Sequence, residues 1–193
     1  MRVPPFLVFF CLAILAIRPT ALDAEDAAAR GYRLLRTMPL VPPDFDQAVF
    51  DRLWTRWPAP LKQQAQQAPL RQRRRMTLDY YGLMPDPDAE DPTQIPALGY
   101  VAVKNGGWVM NCLTCHAGRV DGRVIPGLPN THLDLQTLIE DVRWTKLALL
   151  KPPAHLDIIS TKLPLSTSRG TTNAVAFGVV LGAYRDKDMV VHL

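Results

Sequence analysis

Three cysteines, four histidines and eleven glycines are all that this 193-residue chain contains of those types, and each scarcity excludes something. A structural zinc site ordinarily takes four ligands from two Cys pairs. Here Cys112 and Cys115 make one pair, and Cys11 lies inside the apolar leader. Eleven glycines against eighteen prolines point to fixed loop segments rather than one regular sheet. There is no heptad run, tandem repeat or low-complexity tract, which removes coiled coils and solenoids. After the first residues no apolar stretch is long enough to span a bilayer. Charge of one sign is also in short supply. The net charge is +4, and +3 once Arg2, Arg18 and Asp23 are removed with residues 1–24, too mild for a nucleic-acid binder.

What is present begins with an export signal. Met1-Arg2 is a short positive start, Phe6 to Ile17 is apolar throughout, and Ala21 and Ala24 offer small residues for cleavage. Residues 1–24 are therefore expected to be a signal peptide and the mature protein to be periplasmic or otherwise exported, with no stable membrane span after cleavage.

The central feature is Cys112-Leu113-Thr114-Cys115-His116, the Cys-x-x-Cys-His signature of c-type haem attachment. Two cysteines three positions apart share one helical turn, so both sulfurs reach the vinyl groups on one haem edge. The histidine that follows is placed under the iron as proximal ligand. Other readings are a thioredoxin-like redox pair, which wants a βαβ context, a zinc site, and chance. The export signal favours haem over all three. One covalent haem c is expected, held by Cys112 and Cys115 and ligated by His116.

Closure of the other iron face decides between an electron carrier and an enzyme. His132, His155, His192, Met76, Met84, Met110 and Met189 are the available donors. His132 is the preferred distal candidate, because it follows a Pro-Gly-x-Pro loop and opens a helix. Met110 is too close along the chain to wrap around the ring. Arg119, Arg123 and Trp108 flank the motif as candidate contacts to haem propionates.

Along the chain, helices are expected over Glu25–Met38, from an N-cap at Asp44 through Trp57, and over 61–81 with Gly82 as stop. Trp54 and Trp57 recur at helical spacing and read first as core, and second as a shield for a haem edge. Arg71, Arg73, Arg74 and Arg75 form a basic cluster, read first as a solvated helix face and second as a patch for anionic lipid or a partner. Residues 83–97 read as a loop. Tyr100–Val103 and Trp108–Met110 flank Asn105-Gly106-Gly107 as a hairpin, and Asp121-Gly122 centres a second one. A further helix, capped by Asn130 or Thr131, buries Leu135, Leu138, Ile139, Val142 and Leu149. A last one runs from Asn173 to Tyr184.

The Cys112–His116 motif with His132 sixteen residues on, the stretch Gly118–His132 and the later Gly170-Thr171-Thr172-Asn173-Ala174 together resemble the first haem domain of bacterial di-haem cytochrome c peroxidases and latex-cleaving di-haem oxygenases. The resemblance covers roughly residues 96–185. It implies a mainly α, cytochrome c-like haem domain over 96–193, with a helical N-terminal extension over 25–95 and one or two small β-hairpins. In that family a histidine at the spacing of His132 can cap the distal face and withdraw on activation. The family's second Cys-x-x-Cys-His and its catalytic Gln and Glu have no counterpart here, so the chain is expected to be a piece of a longer product or a member cut to its first haem domain. The expected function is single-electron transfer outside the cytoplasm with a redox partner protein. The alternative is the first haem domain of a di-haem peroxidase or oxygenase whose second haem domain is missing.

Overall fold

The computed structural model describes residues 21–161, 168–170, 178–179, 182–183, 185–188 and 190. The expected signal peptide (but for its last four residues), Met189, His192 and most of the expected last helix lie outside them. The chain divides into two compact units, Met1–Leu34 and Leu35–Leu193. Helix α1 (Ala21–Thr37) spans that division.

The second unit corrects the expected architecture. The chain is an α/β fold with two small antiparallel sheets, not a mainly α domain, and nothing in it shows a cytochrome c fold. Strands β1 (Phe45–Asp46), β2 (Tyr100–Ala102) and β3 (Gly107–Met110) form one sheet with β3 in the middle. Phe45 pairs with Trp108, and Tyr100 with Met110. The second sheet is a hairpin of β4 (Ala117–Val120) and β5 (Arg123–Pro126). Its turn residues Asp121 and Gly122 both take positive φ, 47° and 75°, the twist that a tight hairpin demands.

The helix expected from Asp44 to Trp57 is not continuous. Asp44 lies against the sheet, its amide donating to the Trp108 carbonyl at 2.8 Å. Asp46 caps the short helix α2 (Gln47–Phe50) by accepting from Val49 N at 3.1 Å, and a 3-10 turn, Leu53–Arg56, follows. The helix expected over 61–81 is two: α3 (Ala59–Gln67) and α4 (Leu70–Tyr81). The break falls at Pro69, which has no N–H to donate and forces Ala68 into an extended conformation (ψ 143°). Gly82 ends α4 in the left-handed region, φ 69°. Any side chain there would strike the His132 carbonyl oxygen, 2.0 Å from the position of a Cβ.

Helix α5 (Leu135–Ala148) buries Leu138, Ile139 and Val142. Its cap is Asp134, accepting from Thr137 N at 3.3 Å, rather than Asn130 or Thr131. The short α6 (His155–Ile159) follows Pro152-Pro153. One hydrophobic core joins residues from both sides of the expected 95/96 boundary: Phe45, Phe50, Leu53, Trp57 and Tyr81 pack with Tyr100, Trp108, Met110 and Leu138. Phe50 and Trp108 meet with ring centroids 5.3 Å apart, Phe45 and Tyr100 at 5.2 Å. The segments expected on either side of residue 95 thus share their interior, because β1, from the first, completes the sheet that ends at Met110.

Candidate functional site

The Cys-x-x-Cys-His stretch leaves β3 directly. Cys112–Thr114 is a 3-10 turn, and the Cys112 carbonyl accepts both the Cys115 N–H and, at 3.0 Å, the His116 N–H. Three side chains with soft or imidazole donors therefore leave the backbone within one closed turn. Cys112 and His116 are exposed, while Cys115 is half-buried against the core.

Two buried asparagines fix that turn. The Asn111 side chain accepts from Leu113 N at 2.8 Å and donates to the carbonyls of Leu35 (2.9 Å) and Leu98 (3.4 Å). Asn130 donates from its side chain to the carbonyls of Gly82 (2.7 Å) and Thr114 (3.1 Å), and its N–H reaches the Cys115 carbonyl at 2.8 Å. Between them Thr114 is pressed against Gly99, its hydroxyl donating to the Gly99 carbonyl at 2.7 Å. Nearly all polar capacity of both asparagines is spent on backbone, which makes the turn rigid without any ligand.

The chemistry of the donor set fits a haem: two thiols for thioether bonds and an exposed imidazole one residue on. Exposed apolar side chains stand beside it. Gly118, two residues past His116, pairs with Ile125, and a Cβ on Gly118 would sit 3.1 Å from Leu128. Ile125 and Leu128 are 39% and 37% exposed and Val120 on the same hairpin 52%, an apolar surface that a flat apolar ligand would cover. Among the described residues no group of three or more His, Cys, Asp or Glu side chains gathers as a metal cage.

No family model, curated protein or solved structure matches this chain. Its site therefore rests on its own residues.

The other candidates are scattered. His132 is exposed in the turn before α5, its Nδ1 3.3 Å from the Thr131 hydroxyl, and it lines a small cavity of about 130 Å³ with Met84 and Arg119. Neither Cys112, Cys115 nor His116 lines that cavity. Met110 is fully buried in the core, and Met76 packs against it. Trp108 is core rather than a propionate contact, as is Trp57, whose indole N–H donates to the Tyr81 hydroxyl at 3.0 Å. Trp54 is half-buried under the Arg73 guanidinium, 5.1 Å from its ring centroid. Arg119 and Arg123 are exposed on the hairpin.

Three of the four clustered arginines meet carboxylates of this chain. Arg74 makes two hydrogen bonds to Asp51, at 2.8 and 2.9 Å. Arg71 pairs with Asp91 at 3.3 Å, and Arg75 with Asp79 at 3.7 Å. Arg73 lies on the Trp54 ring and donates to the Ala68 carbonyl at 3.1 Å.

Sequence reasoning missed a second polar cluster. Asp44 and His155 are both buried, His155 Nε2 standing 3.2 Å from Asp44 Oδ1, and Met110 N donates to Asp44 Oδ2 at 3.2 Å. Beside them Lys146 Nζ lies 2.5 Å from Asp157 Oδ2, both side chains almost wholly buried. Burial pushes the Asp44 carboxyl up to about 7, against the Met110 N–H and Lys146, which lower it. Burial and then Lys146 push His155 down to about 4. Tyr100 is buried nearby. Desolvation, then Asp44 and Cys115, raise its hydroxyl well above the ordinary value. Nothing local announced this group. His155 was weighed only as an iron ligand, and Lys146 and Asp157 look from sequence like ordinary helix charges. The one shared sign is that Asp44 and His155 each follow a Pro-Pro pair.

Proposed function

We propose that this chain is an exported c-type cytochrome that carries one covalent haem at Cys112 and Cys115, with His116 as iron ligand, and exchanges single electrons with a redox partner protein. The observation that carries the reading is the closed turn in which the Cys112 carbonyl takes the N–H groups of both Cys115 and His116. Bound there, haem supplies a one-electron iron couple. The chain's own residues do the rest. Asn111 and Asn130 hold the two sulfurs and the imidazole on a fixed frame, so little ordering is left to cost free energy at attachment. The exposed Val120, Ile125 and Leu128 offer apolar surface for a ring to exclude water from. Among the described residues no helix is long and apolar enough to cross a membrane.

The test is the mass of the exported protein made in cells with working haem-maturation machinery. One added haem that survives denaturation, and that disappears in Cys112→Ala/Cys115→Ala, is expected. Recovery of the apoprotein mass alone refutes the reading.

His132 bears on a second reading. Its ring is exposed and its described polar contact is with Thr131, which leaves it free to leave an iron as easily as to close one. That favours a haem domain of a di-haem peroxidase or oxygenase type, incomplete without a second haem domain. His132→Ala decides its role. A low-spin to high-spin change in the haem-loaded protein makes it the distal ligand, and an unchanged spectrum discards it. Binding of cyanide by the unmodified protein supports the enzyme, and indifference to cyanide in both redox states supports the electron carrier.

A further inference from the structure

Two tyrosines are buried in the shared core, Tyr81 of α4 and Tyr100 of β2, and they differ in where a phenolic proton can go. Among the described contacts the Tyr100 hydroxyl has no hydrogen-bond partner. The Tyr81 hydroxyl donates to Asp141 Oδ2 at 2.7 Å and accepts from the Trp57 indole N–H at 3.0 Å. Asp141 belongs to α5 and is only half-buried, so a proton placed on it has an outlet to water. Burial raises the Asp141 carboxyl, while the Tyr81 hydroxyl and the Arg56 guanidinium lower it.

Three aromatic rings meet at this point. Tyr80 stands 4.8 Å from Tyr81, edge-on at 86°, and 4.8 Å from Trp57, while Trp57 is 6.4 Å from Tyr81. Tyr80 is partly exposed, which gives the buried rings an electronic contact with the surface. Taking one electron from a phenol leaves a strongly acidic radical cation. It persists only if a base within hydrogen-bond reach accepts the proton. Among the described contacts of the three rings, Tyr81 alone hands its proton to a carboxylate. The Trp57 N–H faces a phenol oxygen, a far poorer base. An oxidising equivalent on this cluster therefore settles on Tyr81.

We infer that Tyr81 and Asp141 form a site of reversible, proton-coupled one-electron oxidation, where the chain holds an oxidising equivalent as a neutral tyrosyl radical. An outer-sphere one-electron oxidant at the surface takes the electron by way of Tyr80. The O–H bond of Tyr81 breaks, its proton passes to Asp141 Oδ2, and the oxidant is reduced by one electron. An electron returned by a donor brings the proton back to the phenol oxygen. Tyr81 has no exposed surface, so the radical is shielded from dissolved reagents. Gly82, the next residue, is joined through the Asn130 side chain to the Thr114 carbonyl, so a bonded path also runs from Tyr81 to the cysteine turn.

The experiment uses the full exported chain carrying Cys112→Ala/Cys115→Ala, so that no haem donates the electron. Photogenerated tris(bipyridine)ruthenium(III) is the oxidant. Transient absorption follows radical formation, and high-field EPR of frozen samples identifies the radical. A hydrogen-bonded tyrosyl radical is expected, absent in Tyr81→Phe and retained in Tyr100→Phe. Asp141→Asn keeps an acceptor oxygen but removes the base. It should slow radical formation about a hundredfold, the low end of what a positioned base contributes. A merely structural bond between Tyr81 and Asp141 would leave that rate unmoved. An undiminished signal in Tyr81→Phe overturns the proposal, and so does an unchanged rate in Asp141→Asn. Should Tyr81→Phe fail to fold, the Asp141→Asn rate still decides. Because no haem enters the measurement, its failure leaves the cytochrome reading standing, and a chain that proves to carry no haem leaves its result intact.

Discussion

Asp44 Oδ1 and His155 Nε2 lie 3.2 Å apart with side chains only 2% and 6% exposed, the one just before β1 and the other at the start of α6. The two groups are displaced in opposite directions, Asp44 up to about 7 and His155 down to about 4.

Their effects on stability nearly cancel. Between pH 4 and 7 the folded chain keeps a proton on Asp44 that the unfolded chain loses, so this group makes stability fall as pH rises. His155 does the reverse: folded, it is neutral from about pH 4 upward, while unfolded it holds a proton to about 6.5. Its contribution rises with pH over that window. In urea unfolding at fixed pH, Asp44→Asn should therefore steepen the gain in stability from pH 4 to 6.5, and His155→Gln should turn it toward a loss. Either slope is bounded by about 1.4 kcal/mol per pH unit. Identical pH profiles for both variants and the parent protein would contradict this opposition.

Asn111→Ala removes a cap and strands two carbonyls, those of Leu35 and Leu98. Loss of about 2 kcal/mol is expected, within the range for orphaned buried partners, read as a lower urea midpoint at unchanged m-value. The same variant should incorporate less haem per molecule than Thr131→Ala, an exposed control.

Gly99→Ala should destabilise by about 1–3 kcal/mol. An added Cβ would lie 2.2 Å from the Thr114 hydroxyl and 2.7 Å from its Cα, and the second of these cannot swing aside. Gly106→Ala meets nothing within 4 Å, but φ there is 83°, so its cost is conformational strain alone. Calorimetric midpoints of the two variants separate collision from strain.

Within the arginine cluster the cost of substitution should follow geometry. Arg74→Met loses the two-pronged contact with Asp51 at a partly buried site and should cost about 1 kcal/mol. Arg71→Met, whose side chain is 71% exposed, should stay within about 0.5 kcal/mol. A larger loss at Arg71 than at Arg74, measured by denaturant titration, would reverse this ranking.

Features written into neighbouring residues were legible in advance. Asn105-Gly106-Gly107 and Asp121-Gly122 announced both hairpins, Gly82 the end of α4, and the Leu135, Leu138, Ile139 and Val142 spacing the buried face of α5. Features that depend on distant partners were not. Asp44 reads as a helix cap, but pairing of Phe45 with Trp108 pulls it into the sheet and passes the cap to Asp46. Helical spacing runs on across Pro69, but the proline divides the 61–81 stretch into α3 and α4. The mainly α expectation came from the resemblance and from helical spacing, and it failed because a two-residue strand, too short to leave a period in sequence, recruits the extension into the core. Cys112, Cys115 and His116 stand out by motif. Lys146 and Asp157 do not, since a buried ion pair and a solvated one are spelled with the same letters.

Asn130 fastens the end of α4, the cysteine turn and the approach to α5 with three hydrogen bonds. A mould set before casting has a consequence for timing. On the proposed function, the chain would already present its sulfurs in their final attitude, so the pace of haem loading would be governed by delivery of the porphyrin and the redox state of the thiols, with refolding contributing little.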